Sequence, residues 1–493
     1  MNPQLNRLAV VAVLLLVALV VGTTYWQAWA AGDLADKQDN AIQRVAEFQI
    51  RRGRISMGPA HVPLAVNRRI RVRGETFYQR RYPHDGLLAQ TVGYSTLLGT
   101  QAGLERSLND YLTGANASLN TILDKLKGAT VRGNSLQLTI DPVAQKVAMN
   151  ALAGRCGAVA AVEPSTGKAL VLASSPTFDQ NKAGSPLYLR QLSRQRAQCG
   201  LAAPLLNRTT DGLFTPGSTF KIITASAALD SGKFTPESQF YDPGYCVEYG
   251  KQVSNAGNPD QNGPEQFGNV SLVTGFEHSI NSVFCNIGKA IGAGRILDTA
   301  KRFGFYERPP LETPADTRAP SGLYKNGKLY DPSHPEFQVD PGRLAFGQER
   351  LQVTPLQMAM VAAGIANRGV VMKPYVVDRI VAPGGSTVST THPDRLHRAV
   401  SPKTAEEVGQ MMVAAVQGGT GTAAQIPGIQ VAGKTGTAET GVQGTNTTWF
   451  VAFAPADHPK VAVAVVLEKQ HGFGGTIAAP VAKQVIEAVL RKR

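Results

Sequence analysis

The longest apolar stretch of the chain lies near its N-terminus. Residues 8–21 are almost all apolar, and residues 22–29 extend the stretch to about the 20 residues that cross a bilayer. Aromatic residues, which favour the membrane interface, stand at its far end: Tyr25, Trp26 and Trp29. The pattern predicts a single-pass transmembrane anchor over residues 8–29.

The flanks of this stretch predict its orientation and leave one alternative open. Arg7 and the free amino group favour a cytoplasmic tail over residues 1–7, with the rest of the chain outside the cytoplasm. A cleaved signal peptide is the alternative, because Ala28-Trp29-Ala30 fits the small-residue rule for cleavage. Either way we expect export, and a retained anchor would hold the protein at the cell membrane.

Residues 30–150 show no long regular pattern and predict an elongated domain of mixed structure. Residues 35–54 are polar with spaced apolar positions, as in a stalk helix, and residues 56–135 are short segments broken by Gly and Pro. Residues 136–140 alternate like a strand and lead into a helix that runs to Ala153. We interpret this region as an N-terminal pedestal or interaction domain.

Residues 151–493 predict a second, larger domain. Apolar strands are expected near both of its ends, over residues 158–163, 168–173 and 461–467. Helices are expected over residues 220–229 and 478–490. This order indicates an antiparallel sheet flanked by helices, and the fold class is therefore α+β. The Pro-rich residues 309–341 are predicted to form a surface loop.

The composition excludes several classes of protein. With 493 residues and 43% hydrophobic content, the chain can bury a large core, and 17% charged residues are too few for a disordered protein. The formal net charge is +14, but the basic residues are spread along the chain without a nucleic-acid-binding module. We therefore expect no nucleic-acid partner and favour an anionic membrane or cell-wall surface.

The four cysteines have no C-x-x-C spacing, which argues against a zinc or thioredoxin-like site. In an exported protein an even number suggests disulfides, although sequence alone leaves three connectivities open. Pairing neighbours would join Cys156 with Cys199 and Cys246 with Cys285. Free buried cysteines are the alternative.

A candidate nucleophile lies at the start of the helix predicted over residues 220–229. Ser218 and Lys221 are three residues apart and would share one face of a helix. A hydroxyl beside an amine is the simplest nucleophile and base, provided that the amine is neutral. Alone the pair is weak, because a capping Ser and a solvated Lys often have this spacing.

Two later stretches carry matching chemistry. Ser279-Ile280-Asn281 offers a hydroxyl and a carboxamide, and Lys434-Thr435-Gly436-Thr437 offers a cation, two hydroxyls and a glycine that permits close approach of a ligand. Ser-x-x-Lys, Ser-x-Asn and Lys-Thr-Gly in this order are typical of β-lactamases and penicillin-binding proteins.

A nucleotide-binding loop competes for the same residues. Residues 428–435 match G-x-x-x-x-G-K-[ST] at every position. A phosphate-binding loop should open a helix, whereas the residues before Lys434 suit a strand and residues 437–441 do not begin a helix. An exported protein would also lack nucleotide, which makes this alternative the weaker one.

With these motifs the chain resembles the class B penicillin-binding proteins, and most of all the actinobacterial penicillin-binding protein A type. The resemblance extends over most of the chain and includes two N-terminal motifs, Arg52-Gly53-Arg54-Ile55 and Gly103-Leu104-Glu105. The second catalytic motif has Ile280 where Asp is common, which keeps both functional side chains and counts against a class A β-lactamase.

The resemblance implies a role for each motif in a peptidoglycan D,D-transpeptidase. Ser218 would attack the penultimate D-Ala of a stem peptide, and neutral Lys221 would accept its proton. Ser279 would pass a proton to the leaving D-Ala, and Asn281 would hold Lys221 and the substrate amide. Lys434, Thr435, Gly436 and Thr437 would bind the terminal carboxylate, and β-lactams would acylate Ser218. We expect no cofactor or metal ion.

Two alternatives and one partner remain as hypotheses. A serine β-lactamase or a penicillin-sensing receptor would share the acylation step, and a non-catalytic scaffold would need none of the motifs. Because no glycosyltransferase motif is recognised in residues 56–135, we expect a multi-spanning peptidoglycan glycosyltransferase as partner. A role in elongation, division or sporulation, and the acceptor amine, are left open.

Overall fold

The structure is a computed structural model that describes residues 3–25, 48–115, 132–258 and 263–491. An N-terminal helix covers Pro3–Thr24. Within the described ranges, no helix is both long and apolar enough to cross a membrane. The anchor over residues 8–29 therefore stays a prediction, and its last four residues and most of the predicted stalk helix lie outside the described residues.

The N-terminal region forms a six-stranded sheet that draws strands from distant parts of the chain. Across the sheet the strands are Thr387–Thr390, Val377–Val381, Ser135–Leu138, Ile55–Met57, Val62–Val72 and Glu75–Arg81. Only Ile55–Met57 and Ser135–Leu138 run parallel. Short helices pack beside the sheet at Ala89–Val92, Gly103–Ser107 and Asn109–Thr113.

A charged cluster is buried between this sheet and the short helices. The Glu105 carboxylate accepts from Arg52 Nη2 at 3.0 Å and from Arg80 Nε at 2.6 Å, and all three side chains are almost fully buried. Burial alone would raise the pKa of Glu105, but the two guanidinium groups outweigh it and hold the pKa below its usual value. The two N-terminal motifs of the sequence thus meet in one ion-pair network.

The larger domain is built on a five-stranded antiparallel sheet. Its strands, in spatial order, are Ala432–Glu439, Asn446–Ala454, Val461–Gln470, Gly157–Val162 and Ala169–Ser175. Alternate residues of its central strands enter two different core clusters, which explains why these strands are apolar throughout. Pro142–Leu152 and Gly474–Leu490 cover one face, and Lys221–Asp230, Pro355–Ala366 and Pro402–Gln417 cover the other.

Smaller elements complete this domain. The helices are Pro186–Arg194, Leu272–Glu277, Asn281–Ile291, Ala293–Arg302, Pro335–Gln338 and Pro341–Ala345. The paired strands are Arg196–Ala197 with Gly200–Leu201, Gln239–Asp242 with Gly268–Ser271, Tyr245–Glu248 with Lys251–Ser254, Gly257–Asn258 with Gly263–Pro264, and Val370–Met372 with Arg395–Arg398. The predicted α+β class, with an antiparallel sheet flanked by helices, is confirmed.

Two features differ from the expectations. Residues 309–341 are not a plain surface loop, since Gly322–Lys325 pairs with Lys328–Leu329 and Leu351–Gln352 and places Leu323 in the core. The hairpin of Val377–Val381 and Thr387–Thr390 lies in the range predicted for the larger domain but completes the N-terminal sheet. The high proline content of residues 309–341 suggested a loop and gave no sign of the strand Gly322–Lys325. The pairing of Val377–Val381 with the N-terminal sheet spans more than 200 residues, and no local pattern predicts it.

Candidate active site

Ser218 lies on a tight turn that opens a buried helix. Gly217–Phe220 forms a 3₁₀ turn, and the α-helix Lys221–Asp230 continues from it. Gly217 has φ of +52° and donates its N–H to Gly347 O at 3.2 Å. A Cβ on Gly217 would stand 2.7 Å from Thr437 O, so only glycine lets the turn approach the edge strand of the central sheet. Ser218 is left half-buried at this junction.

Lys221 is fully buried and points at the second motif. Its Nζ donates to Ser279 O at 2.7 Å and to Asn281 Oδ1 at 2.8 Å, and lies 3.3 Å from Ser279 Oγ. Burial, and then the nearby cation of Lys434, hold the pKa of Lys221 well below its usual value. This shift favours the neutral form of the amine, which can accept a proton.

Ser279 and Asn281 stand at the junction of two helices. Ser279 has φ of +62°, in the left-handed region, between the helices Leu272–Glu277 and Asn281–Ile291. Ile280 turns into the core and donates its N–H to Gly275 O at 2.8 Å. An apolar residue suits the middle position of this motif, because its side chain points away from the site.

The third motif is part of the edge strand Ala432–Glu439. Lys434 is fully buried, and burial lowers the pKa of Lys434 to about 7. Gly436 meets the Ser218 turn, where a Cβ would stand 2.8 Å from Pro216 O. The Thr435 and Thr420 hydroxyl oxygens are 2.6 Å apart, and the Thr437 hydroxyl accepts from Gly474 N–H at 3.2 Å.

The same strand overturns the nucleotide-loop alternative. Lys434 lies inside a strand that continues to Glu439 and pairs with Asn446–Ala454. No helix follows the glycine and lysine, and hence no N-terminal amides are available at this position to hold a phosphate.

A buried polar network that the sequence did not reveal supports Asn281. The Asn281 side-chain amide donates to Ser254 O at 3.1 Å. The side-chain oxygen of Asn255, which follows Ser254, accepts from Ser282 N–H at 3.1 Å. Asp242 accepts from the Asn255 amide at 2.9 and 3.0 Å and from the Ser282 hydroxyl. In the sequence, this network is marked only by the turn-forming residues Asp-Pro-Gly at positions 242–244. The sequence does not show that Asp242 binds Asn255 and Ser282.

The cysteines form two pairs. Cys156 is bonded to Cys199, and Cys246 to Cys285, as pairing neighbours suggested. The second disulfide ties the strand Tyr245–Glu248 to the helix that begins at Asn281. It thus supports the same side of the site as the Asp242 network.

Comparison with known proteins gives this geometry a context. Residues 157–487 match the family described as penicillin binding protein transpeptidase domain, and residues 52–136 match the penicillin binding protein A dimerisation domain. The chain belongs to the penicillin-binding protein transpeptidase family. This confirms the resemblance found in the sequence motifs.

Individual family members are similar over most of their length. Peptidoglycan D,D-transpeptidase PbpA of Mycolicibacterium smegmatis is 35% identical across all of both chains. Peptidoglycan D,D-transpeptidase MrdA of Acinetobacter baumannii is 29% identical, over 86% of this chain and 67% of its own. Penicillin-binding protein A from M. tuberculosis, solved as a ceftriaxone acyl-enzyme complex, has a TM-score of 0.79 at 32% identity and covers 90% of this chain and 100% of its own.

Proposed function

We propose that this chain is a serine-type D,D-transpeptidase that cross-links peptidoglycan stem peptides through an acyl-enzyme on Ser218. One observation carries the proposal. A fully buried lysine amine, one helical turn after the serine, is held by Ser279 and Asn281 with no carboxylate partner among the described residues. A neutral amine is the base that a serine nucleophile needs. Relatives named as peptidoglycan D,D-transpeptidases support it.

In the acylation step, Ser218 Oγ attacks the carbonyl carbon of the penultimate D-Ala while Lys221 Nζ accepts the hydroxyl proton. The peptide bond breaks, and the proton returns through Ser279 Oγ, 3.3 Å from Lys221 Nζ, to the departing amine of the terminal D-Ala. The N–H groups of Ser218 and Thr437 would stabilise the oxyanion.

Substrate capture is assigned to the edge strand. Lys434 in its charged form, with the Thr435 and Thr437 hydroxyls, would bind the terminal carboxylate by charge-assisted hydrogen bonds. Because the pKa of Lys434 is about 7, an approaching carboxylate would draw the lysine into its charged form. The amine of a second stem peptide then attacks the Ser218 ester, which forms the cross-link and frees the serine.

Labelling with a fluorescent penicillin tests this proposal. We expect stable covalent labelling of the wild type and none of Ser218→Ala. Ser226→Ala is the matched control, because Ser226 is buried in the helix that follows the Ser218 turn and donates to Ile222 O. Rapid release of hydrolysed penicillin would favour the β-lactamase alternative, and an unlabelled but folded wild type would exclude both enzymes.

We also propose that the chain is anchored by residues 8–29 with its larger domain outside the cytoplasm, and that it acts beside a multi-spanning peptidoglycan glycosyltransferase. The apolar run and Arg7 support the anchor. Protease treatment of intact cells should degrade the larger domain, and affinity purification of the full chain should recover the glycosyltransferase.

A further inference from the structure

The hairpin of Val62–Val72 and Glu75–Arg81, here called the arginine hairpin, carries an exposed basic tip. Arg68, Arg71 and Arg73 are exposed, and none of them forms an ion pair with another described residue. The one acidic residue of the hairpin is Glu75.

The surrounding region uses arginine alone for its positive charge. Residues 48–115 contain ten arginines, no lysine and four acidic residues, a net charge of +6. Two of these arginines are buried with Glu105, which leaves most of the others at the surface. Arginine presents a planar fork of N–H groups that binds phosphate in a bidentate manner, whereas lysine offers a compact point charge.

Three contacts show which end of the hairpin faces the incoming chain. Gln49 donates to Glu75 at the tip at 3.1 Å. Arg52 O accepts from Asn67 halfway along at 2.6 Å, and Ile55 pairs with Ala65 near the base. The first described residues after the helix Pro3–Thr24 therefore meet the hairpin at its tip, and the chain then runs along the hairpin toward its base.

The tip also has apolar surface among its arginines. Val72 is 50% exposed, and Ile70, Phe77 and Tyr78 are partly exposed. Basic residues interleaved with apolar and aromatic ones suit the boundary between headgroups and acyl chains.

We propose that the tip of the arginine hairpin binds the phosphate groups of anionic phospholipids at the membrane surface from which the chain emerges. This inference rests on the proposed anchor. It assigns the hairpin a second attachment that would fix the orientation of the catalytic domain over the bilayer.

Hydrogen–deuterium exchange of the full chain in nanodiscs tests the inference. We expect the amides of residues 66–81 to exchange roughly tenfold or more slowly in nanodiscs containing phosphatidylglycerol than in phosphatidylcholine alone, because each arginine near an anionic surface contributes severalfold. High salt should remove the difference. In nanodiscs made anionic with a fatty acid, which lacks phosphate, slowing should be clearly weaker, and equal slowing would overturn the assignment to phosphate.

A matched pair of triple variants isolates the hairpin. Arg68→Gln with Arg71→Gln and Arg73→Gln should abolish the slowing. Arg190→Gln with Arg194→Gln and Arg196→Gln removes the same charge from exposed positions of the larger domain and should preserve it. Labelling by fluorescent penicillin reports that each variant is folded.

The outcomes separate the two proposals. If the chain enters nanodiscs and residues 66–81 exchange equally in both lipids, the inference is wrong and the anchor stands. If the control variant loses the slowing as fully as the hairpin variant, overall charge is the cause and the inference is wrong. If the chain enters no nanodisc, anchor and inference are both wrong.

Discussion

Two buried charged clusters in this molecule are built in opposite ways. In the N-terminal region, Glu105 is paired with Arg52 and Arg80 and has its pKa lowered by them. In the active site, Lys221 and Lys434 are two like groups with no carboxylate partner among the described residues, and burial lowers the pKa of both. The two arginines favour the charged form of Glu105. Burial without a counter-charge favours the neutral forms of Lys221 and Lys434.

The difference separates a structural use of buried charge from a reactive one. A carboxylate beside Lys221 would stabilise its ammonium form and remove the base. Without the two arginines, burial would raise the pKa of Glu105 and favour its protonated form. Without the Glu105 charge, the two buried guanidinium groups would have no counter-charge. The first cluster should therefore respond to mutation in stability, and the second in rate.

The largest effect is expected from Lys221→Met, which keeps the shape of the side chain and removes the amine. Loss of the base should slow acylation by a fluorescent penicillin by about 10²–10⁴-fold. The free energy of unfolding should fall by no more than about 1–2 kcal/mol, the cost of the acceptors left at Ser279 and Asn281. Equal acylation rates in variant and wild type would show that Lys221 is not the base.

Glu105→Gln should reverse this pattern. Leaving Arg52 and Arg80 buried without a counter-charge should lower the free energy of unfolding by about 3–5 kcal/mol, measured with denaturant, while folded molecules acylate at the wild-type rate. Because the pKa of Glu105 lies below its usual value, its contribution is present above the usual pKa and is lost as the pH falls through the lowered pKa.

If Glu105→Gln does not fold, a triple variant preserves the test. Arg52→Met with Glu105→Leu and Arg80→Met replaces all three charges together and should recover most of the stability. Failure of the triple variant to recover stability would show that the cluster contributes by geometry and not by charge balance.

A smaller effect is expected from Asp242→Asn, which disturbs the network behind Asn281 without touching Lys221. An amide cannot accept all the hydrogen bonds that the carboxylate accepts, and acylation should slow by roughly 10-fold. Asp457→Asn is the control, because Asp457 is exposed and pairs with His458 and not with any residue of this network. An unchanged rate and pH profile for Asp242→Asn would limit the network to a structural role.

The smallest effect is a change in the shape of the pH profile. The rate constant of acylation should rise with pH as Lys221 loses its proton, and fall again as Lys434, with a pKa of about 7, loses its charge. Lys434→Arg keeps the charge at all accessible pH values and should abolish the alkaline fall while retaining the acidic limb. An alkaline fall that persists in this variant would assign it to another group.

The sequence predicted the elements whose signals are local. The strand around residues 461–467, the helix that ends near Leu490 and the three catalytic motifs follow from apolar periodicity and residue spacing. Ser218 and Lys221 are close in sequence, so their proximity could be inferred before the structure, although Ser218 lies in the 3₁₀ turn that precedes the helix of Lys221.

Features that depend on distant contacts could not be predicted in this way. Asp242 meets Ser282 across 40 positions, and Lys221 meets Asn281 across 60, with no periodicity to connect them. The depressed pKa of Lys221 depends on burial and on Lys434, more than 200 residues away. The motifs predict which residue types form the site, but the charge states of Lys221 and Lys434 depend on how the folded chain packs around them.

The strand Val377–Val381 pairs with Ser135–Leu138, which lies about 240 residues earlier in the chain. At about 5–20 residues per second, synthesis of the intervening chain takes roughly 10–50 s. Throughout that interval one edge of Ser135–Leu138 has no strand to pair with, and open edges invite association with other chains. The N-terminal sheet is therefore incomplete until most of the larger domain has been made, and we expect a fragment ending at residue 150 to keep this edge open and to aggregate.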